Sequence, residues 1–319
     1  MTLQTDVQGN ERYVPVLDHG FVGLVDHMGD DAAIISAARV SYGNGTKSVR
    51  EDRGLIRYLV RHKHTSPLEM CEVKLHLKLP IFVMRQLVRH RTSSLNEYSG
   101  RYSVLTDEMY VPEVANILPQ SKMNKQGRDG ELNPADALFA QGLIRSSVDN
   151  SFNVYQTLLN DPSTHGTDAM AGMGDGFSAD FPEEGVAREI ARITMPVAGY
   201  TELYWKQNLH NLFHMLKLRE DSHAQWEIQE FARAIYALIK PLYPAACEAY
   251  EDYIRDAQTL SGMEVELMQA LVTRSNEFDL SFSEAYDHIQ AQFDTEAQFL
   301  DHFRMSKREL NEFKKTFKL

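Results

Sequence analysis

The clearest pattern of apolar and polar positions in the chain is a strict alternation over residues 73–79. Apolar side chains stand at Val73, Leu75, Leu77 and Leu79, with Lys74, His76 and Lys78 between them. A period of two predicts a strand that is covered on one face. Pro80 follows, and we place it in the first turn of a helix over residues 81–90, where proline is tolerated. That helix would carry Arg85 and Arg89 one turn apart.

Helical patterns dominate the remainder of the first 250 residues. We predict a strand and then a helix over 22–40, and further helices over 51–61, 133–159, 184–193, 201–218 and 222–240. Ser222 and Gln225 have the spacing of a capping box at the start of the last of these. In the helix over 133–159, the apolar positions from Leu138 to Leu159 are expected to face a core. Several helices with one small sheet, mixed or antiparallel, predict an α+β fold.

The chain beyond about Tyr253 reads as a separate helical segment. The pairs Ser281/Glu284 and Ser306/Glu309 have the spacing of capping boxes. The apolar positions Leu310, Phe313 and Phe317 lie on one side of the last helix and suggest packing on a neighbour. We therefore divide the chain into a domain over 1–253 and a helical extension of unknown role over 254–319. The first would contain an inserted helix and a mobile Gly-, Asp- and Ser-rich loop at about 119–183.

Composition limits the classes of protein to which the chain can belong. The chain has 319 residues, 43% of them hydrophobic, and a formal net charge of -12, which disfavours a general nucleic-acid binder. Two cysteines, Cys71 and Cys247, are too few for a disulfide framework or a thiolate zinc site. The first residues lack the pattern of a signal peptide, and no apolar run approaches the length of a membrane span. We expect a cytoplasmic protein with no membrane partner.

Against this acidic background, one short segment concentrates cationic and hydrogen-bonding side chains. Arg89-His90-Arg91 is followed by Asn96-Glu97-Tyr98-Ser99-Gly100-Arg101-Tyr102. Guanidinium groups donate paired hydrogen bonds that suit phosphate and keep their charge at all physiological pH values. The amide, carboxylate and hydroxyl groups in the same segment can hold the edge of a polar ring. The segment therefore predicts a nucleotide site.

These residues resemble the signature of the flavin-dependent thymidylate synthases, the ThyX family. The surroundings match as well, and the resemblance covers roughly residues 12–250 with a break at about 119–183. The matching segments are Arg61-His62-Lys63-His64, Ser66-Pro67-Leu68-Glu69, Pro80-Ile81-Phe82-Val83, Arg188-Glu189-Ile190-Ala191-Arg192, and Asn208 through Arg219 to Asp221-Ser222-His223-Ala224-Gln225. One departure is Met70, at a position where many members of the family have histidine. This difference affects a minor contact outside the residues that touch the ligands.

The resemblance implies a reaction, a fold and an assembly. The reaction is the reductive methylation of dUMP to dTMP, with methylenetetrahydrofolate as the carbon donor and release of tetrahydrofolate. FAD reduced by NADPH would supply the hydride. The fold would be a ThyX-like α+β fold, and the partners would be dUMP, folate and further copies of the chain in a homotetramer with shared active sites.

The resemblance also implies roles for individual residues. Residues expected to bind the flavin are Ser41, His64, Ser66, Arg89, His90, Arg91, Asn96, Glu97, Asn208, His210 and His214. Residues expected to bind dUMP are Gln86, Arg89, Glu97, Ser99, Gly100, Arg101, Arg192 and Arg219. The residues expected to act in the reaction are Glu97, Ser99 and Arg219, with Arg219 polarising the uracil ring and Ser99 orienting the substrate.

Arg219 also has a rationale in the chemistry itself. Attack by C5 of a uracil moves negative charge towards N3 and O4, and a fixed cation stabilises charge that grows in the transition state. An arginine cannot act as a base at neutral pH, so this contribution would be electrostatic. The alternative interpretation is an ordinary ion pair with Glu220 or Asp221.

Other kinds of site are open to the same residues. His210 and His214 stand one helical turn apart and, with His223 and Glu227, could form a zinc site, although a His-Glu-x-x-His motif is absent. We expect no metal. Ser99 has no sequence neighbours that suggest a catalytic triad. Neither cysteine has the Pro-Cys-His setting of the other class of thymidylate synthase, so we expect no cysteine nucleophile.

Two further hypotheses concern the protein as a whole. The aromatic and cationic residues of 89–102 could instead hold single-stranded nucleic acid, which strong salt-dependent binding would reveal. A relative that binds FAD and dUMP but has lost methyl transfer would have the same motifs. The Gly-rich run at 172–176 follows no predicted strand and starts no helix, so we interpret it as a linker.

Overall fold

A computed structural model of the chain describes residues 4–5, 11–40, 49–122, 126–160 and 184–319. The chain divides into two compact units, Met1–Arg255 and Asp256–Leu319. Each unit has its own cluster of buried apolar side chains. That the two segments have separate roles stays a prediction.

The first unit is built on one antiparallel sheet. Its strands in the described residues are β1 (Gln4–Thr5), β2 (Glu11–Val16), β3 (Gly20–Met28), β4 (Glu72–Pro80), β5 (Ser94–Glu97) and β6 (Tyr200–Asn208), in the order β1-β2-β3-β4-β6-β5. The alternation over 73–79 correctly predicted β4, which is central, with Leu75 between Leu24 and Trp205. An antiparallel sheet with one covered face and one polar face explains that alternation.

The prediction of one helix over 201–218 was wrong, because its first half is strand β6. Leu203, Trp205 and Gln207 are buried on one face of β6, while Tyr204 is exposed on the other. Aromatic residues with a period of two favour a strand over a helix. The helix begins only after Asn208, whose side chain accepts a hydrogen bond from the Asn211 backbone at 2.9 Å and so caps it.

The helices of the first unit, in its described residues, are α1 (Asp31–Arg39), α2 (Val49–Arg61), α3 (Ser66–Glu69), α4 (Ile81–Leu87), α5 (Pro134–Leu159), α6 (Arg188–Ala191), α7 (Leu209–Arg219), α8 (Trp226–Ile239) and α9 (Pro244–Tyr250). Most of them share a buried apolar core with the sheet, whereas α5 and α6 pack around a separate small cluster that includes Tyr155 and Leu159. Short 3₁₀ helices at Val114–Asn116 and Arg192–Thr194 and a π-helix at Glu251–Arg255 complete the unit. Among the described residues, no helix is both long enough and apolar enough to cross a membrane.

Several predicted helix boundaries needed correction. Pro80 ends β4 with extended backbone and precedes α4, which stops at Leu87 rather than at residue 90. The chain turns there because the His90 N–H bonds to the Leu87 carbonyl at 3.0 Å. Residues 184–193 form only the short α6 and the 3₁₀ turn after it.

The predicted capping box at Ser222 is also absent. Helix α8 begins at Trp226, and its N-cap Gln225 makes no capping bond with its side chain. Asp221 organises the turn before it instead, since its carboxylate accepts from the His223 backbone N–H at 2.8 Å. An acceptor two residues before the donor forms the local turn that aspartate favours.

The inserted region contains the predicted long helix. Helix α5 starts at Pro134 behind an Asn133 cap, and Val148, Tyr155 and Leu159 are buried on it. Leu138, expected in the core, is exposed instead. The predicted loop over 161–180, including the Gly-rich run at 172–176, lies outside the described residues.

The second unit consists of α10 (Gly262–Phe278), α11 (Phe282–Gln290), α12 (Glu296–His302) and α13 (Lys307–Phe317). The capping boxes at Ser281 and Ser306 are present, and a third stands at Ser261. Leu310 and Phe313 are buried within the unit's own core rather than kept for a neighbour, and Phe317 packs against the same core. The predicted packing of this last helix on a neighbour is therefore replaced by packing within the unit.

Candidate functional site

Arg219, at the end of α7, is held against the turn that follows α4. Its Nε donates to His90 Nε2 at 3.0 Å, and its Nη2 donates to the Gln86 backbone carbonyl at 3.1 Å. The Gln86 side chain in turn donates to the Gln225 Oε1 at 2.7 Å. The His214 ring lies edge-on to His90, with 6.2 Å between the ring centroids. The structure thus brings together four of the predicted site residues.

Burial controls protonation in this cluster. His90 is only 8% exposed. Burial, reinforced by the charge of Arg219 and by His214, lowers the pKa of His90 to about 4. Burial and the nearby Arg89 also lower the pKa of Arg219 from its ordinary value. At neutral pH the imidazole is uncharged and can accept a hydrogen bond, while a guanidinium keeps its proton.

The neighbours of Arg219 do not support the alternative interpretation, in which it forms an ordinary ion pair. No carboxylate among the described residues lies within ion-pair distance of this guanidinium. Glu220 accepts from the Tyr250 hydroxyl at 2.9 Å, and Asp221 accepts from the His223 ring at 2.8 Å. Both hydrogen bonds of Arg219 end on neutral acceptors, so its positive charge is not neutralised there.

Three more of the predicted arginines are exposed. Arg89, Arg91 and Arg192 make no ion pair with any described residue. Their guanidinium groups are therefore available to an anionic ligand.

The segment predicted as a signature loop begins as an edge strand. Strand β5 pairs with β6 so that Asn96 lies opposite Tyr204 and Glu97 opposite Leu203. The Glu97 carboxylate accepts from the Thr201 hydroxyl at 2.8 Å. Both Asn96 and Glu97 are exposed. The sheet thereby fixes the positions of two residues that are predicted to bind a ligand, while their side chains stay accessible.

The residues after β5 form a turn with an arginine at its surface. The Arg101 backbone N–H bonds to the Ser99 hydroxyl oxygen at 3.3 Å, and the Arg101 side chain bonds to Glu189 Oε2 at 3.1 Å. Gly100 is buried, and a Cβ there would stand 3.1 Å from a methyl group of Leu105, so the close approach favours glycine. An open groove of about 360 Å³ lies here, lined by Arg101, Tyr102, Ala187, Arg188 and Glu189.

Another group of predicted flavin residues lies on or just before α3 and α7, two helices that pack together. Ser66 is the first residue of α3, which packs against α7, the helix that carries His210 and His214 after its cap Asn208. His64 is exposed just before α3, with its ring 5.6 Å from that of Tyr58. Met70 ends α3 and is exposed. Ser41 lies outside the described residues.

Three of the four residues considered for a zinc site, His214, His223 and Glu227, contact other residues. Among the described residues, no group of three potential metal-binding side chains comes together. Glu227 is buried and accepts from Arg128 Nη1 and from the Tyr110 hydroxyl, both at 3.1 Å. This ion pair connects α8 to the inserted region.

Neither cysteine is suited to nucleophilic attack. Both are fully buried, and burial raises the pKa of Cys71 to about 11 and that of Cys247 to about 12. The thiolate is the reactive form, so both side chains are inert thiols at neutral pH.

In a single chain the predicted substrate residues fall into two groups. One group consists of Arg219, His90 and Gln86. The other consists of Glu97, Arg101 and their neighbours. No hydrogen bond or ion pair between described residues joins the two groups. No local pattern pointed to the supporting residue Thr201. Gln225 was visible only as part of a capping box that the structure lacks and of a matching segment. Glu189, which holds Arg101, was visible only as part of a matching segment.

Comparisons with known proteins agree on one family. The model of the Thy1 family, described as thymidylate synthase complementing protein, matches residues 23–245. A flavin-dependent thymidylate synthase of Thermus thermophilus is 49% identical over 260 residues, which cover 82% of this chain and 86% of that protein. The corresponding enzyme of Rickettsia bellii is 45% identical over 261 residues, covering 82% and 85%.

A solved structure extends the likeness to the fold. The UMP/dUMP methylase PolB from Streptomyces cacaoi, bound with 5-Br UMP, has a TM-score of 0.61 and 31% identity, and covers 75% of this chain and 97% of its own. The match of the family model over most of the first unit, together with relatives of this similarity, shows that the chain belongs to the flavin-dependent thymidylate synthase family.

Proposed function

We propose that this protein converts dUMP to dTMP by reductive methylation. Methylenetetrahydrofolate supplies the carbon and leaves as tetrahydrofolate, and FAD reduced by NADPH is the hydride source. The observation that carries the proposal is the arrangement of Arg219, a half-buried cation without a carboxylate partner among the described residues. Membership of the family supports the choice of substrate and cofactor.

Arg219 acts on the uracil ring by electrostatics. When C5 attacks the one-carbon unit, negative charge develops on the N3–C4–O4 side of the ring, and a guanidinium there stabilises it. The hydrogen bonds to His90 and Gln86 hold the cation in place before the reaction. A group that is already positioned does not have to reorganise when the charge appears, so the barrier falls.

The other polar residues bind and orient dUMP. Arg89, Arg101 and Arg192 offer guanidinium groups for its phosphate. Gln86, Ser99 and the backbone at Gly100 offer hydrogen bonds to the base and sugar, and the Thr201 bond to Glu97 sets the direction in which that carboxylate accepts. None of these residues needs to change its protonation state.

The side chains at the predicted flavin positions suit FAD. Exposed Arg89 and Arg91 can pair with its diphosphate, and the exposed His64 and His214 offer ring faces and donors for its planar part. Two helices that pack together carry further polar groups: α3 begins at Ser66, and α7 follows its cap Asn208 and carries His210. When bound, the flavin supplies the hydride that completes the methyl group, and the protein supplies binding and orientation.

The active form is an assembly of several copies with shared active sites. The separation of the substrate residues into two groups within one chain supports this part of the proposal. Exposed apolar side chains on α5 and in the segment after Glu189 are available for contacts between copies: Leu138, Phe139, Leu143, Ile190, Ile193 and Val197. Exposed apolar surface of this kind is typical of a subunit interface.

The test is an anaerobic reaction of the purified protein with dUMP, methylenetetrahydrofolate, FAD and NADPH. Products are identified by mass spectrometry, and Arg219→Ala and Arg219→Lys are assayed alongside. We expect dTMP and tetrahydrofolate in equal amounts, and a loss of about 10²–10³-fold in kcat for Arg219→Ala, the size found when one preorganised donor is removed. Arg219→Lys should recover only part, because an ammonium cannot make both hydrogen bonds in the same plane.

UMP is assayed as a competing substrate, since PolB is described as a UMP/dUMP methylase. Preferential methylation of UMP would replace dUMP in the proposal. A protein that binds FAD and dUMP but makes no methylated product would contradict the catalytic part of it.

A further inference from the structure

We propose that His90 is a positioning residue: it holds Arg219 in place as a neutral hydrogen-bond acceptor and so acts on methyl transfer through Arg219, not through contact with the flavin. The family signature places His90 among flavin-binding residues, so this assignment is different. The inference rests on the proposed function, because Arg219 is the group that polarises the uracil.

The geometry favours this role over an outward-facing one. The His90 side chain is turned inward by the bend after α4, and Ser93 closes the bend by bonding to the His90 carbonyl at 2.9 Å. The Nε2 atom, the end of the ring furthest from the backbone, is taken by Arg219 at 3.0 Å. Its exposed neighbours Arg89 and Arg91 are free to reach a large ligand, whereas His90 is not.

The bond also fixes the chemical form of the ring. A guanidinium has only donors, so the nitrogen that meets it must carry a lone pair. The proton of the neutral imidazole is therefore on Nδ1. A carboxylate at position 90 would bind Arg219 more strongly but would cancel its charge, whereas a neutral acceptor orients the guanidinium and leaves the charge for the substrate. This explains why histidine, rather than aspartate or glutamate, suits the position.

Two substitutions separate positioning from flavin contact. In His90→Gln the amide oxygen can reach the place of Nε2 and accept from Arg219, whereas in His90→Leu an apolar group of similar size cannot. The same pair of changes at His19 serves as the matched control, because His19 is an exposed histidine paired with Asp18 and has no contact with Arg219. Thermal unfolding of each variant checks that it is folded.

Three measurements are made on each variant. The dissociation constant of FAD is obtained by flavin fluorescence, kcat and KM for dUMP by product analysis, and the position of Arg219 by a crystal structure. We expect His90→Leu to lose about 10²-fold in kcat, the scale of one misplaced preorganised group, with FAD affinity within about 3-fold of the original. His90→Gln should stay within about 10-fold of the original kcat with Arg219 in its place.

A double-mutant cycle completes the test. If His90 works only through Arg219, adding His90→Leu to Arg219→Ala should cost nothing further in kcat, because residues that act as a unit are not additive. Multiplying losses would overturn the proposal. So would a large loss of FAD affinity in His90→Leu, or an Arg219 that keeps its place in the crystal structure of that variant.

The two proposals can fail separately. A wild-type protein that makes no dTMP contradicts the proposed function. The crystal structures and FAD titrations of the His90 variants then still decide whether the imidazole positions Arg219, since neither depends on turnover.

Discussion

Arg219 shows how a single residue keeps its charge available inside a protein. Its two hydrogen bonds go to an imidazole and a backbone carbonyl, which orient the guanidinium without neutralising it. Burial and Arg89 work against its charge and lower its pKa. An arginine stays charged despite both effects because its ordinary pKa lies far above neutrality. A lysine at the same place would tolerate them less well.

Protonation of His90 provides a direct test at this scale. We expect Arg219→Ala to raise the pKa of His90 from about 4 towards its ordinary 6.5, since the variant removes the second of its causes and leaves burial, the largest, in place. The other titratable neighbour, His214, is unchanged. NMR titration of ¹³C-labelled histidines, with His90→Gln to assign the signal, measures the shift. A pKa that stays the same or falls would contradict this account of the cluster.

The same pKa makes stability depend on pH. Because the folded pKa is lower than the unfolded one, the unfolded chain binds more protons between them, and the free energy of unfolding falls as pH decreases from 6.5 through about 4. Above 6.5 the contribution is complete. In His90→Leu this part of the pH dependence should be missing from denaturant unfolding curves.

At the scale of secondary structure, the sequence predicted elements where one face is uniformly apolar. Strand β4 was found for that reason. Helix α5 was found from apolar positions of which Val148 and Tyr155 are buried and Leu138 is exposed. Strand β6 was missed because Gln207, a polar residue, occupies an inward position and is buried, with its amide bonded to the Thr92 carbonyl at 3.2 Å. Such a bond joins residues 115 apart, so a local pattern does not indicate it.

The candidate site divides in the same way. The residue types at 89–101 were sufficient to predict a nucleotide site, because guanidinium chemistry is local. The sequence did not predict the groups that hold these residues. Thr201 lies 104 residues from Glu97, and the group of Gln86 that holds Arg219 is its backbone carbonyl.

The buried ion pair of Arg128 and Glu227 gives a prediction for these elements. Removing one partner leaves an uncompensated buried charge, so Arg128→Met should lower the free energy of unfolding by roughly 3–5 kcal/mol. The double variant Arg128→Met/Glu227→Met should be more stable than the single one, because both charges are gone. Urea unfolding of the original protein and the two variants measures this. A double variant less stable than Arg128→Met would contradict this prediction and show that Glu227 stabilises the fold without Arg128, for example through its bond to the Tyr110 hydroxyl.

On the scale of the whole molecule, the main hydrophobic core of the first unit shares no described residue with the core of the extension. Phe213 is buried in the core of the first unit, and Phe299 in that of the extension. Three of the four helices of the extension start with a complete capping box, so their boundaries are set by local bonds. Both features are typical of a unit that folds by itself.

We therefore expect two transitions in calorimetric unfolding. Phe299→Ala should destabilise the extension by roughly 3–5 kcal/mol and move only its transition, and Phe213→Ala should move only the other, because core truncations act on the core that contains them. Differential scanning calorimetry of the full chain and both variants measures this. Transitions that move together in either variant would mean that the chain unfolds as one unit.

The pairing of β5 with β6 also limits how the gene for such a protein can change in length. Adding or deleting one residue within 94–97 would exchange the faces of Asn96 and Glu97, because successive side chains of a strand point to opposite sides. The Glu97 carboxylate would then turn away from Thr201. During evolution, insertions and deletions should therefore accumulate elsewhere, as in the region between Tyr110 and α6, while the spacing from Arg89 to Arg101 stays constant.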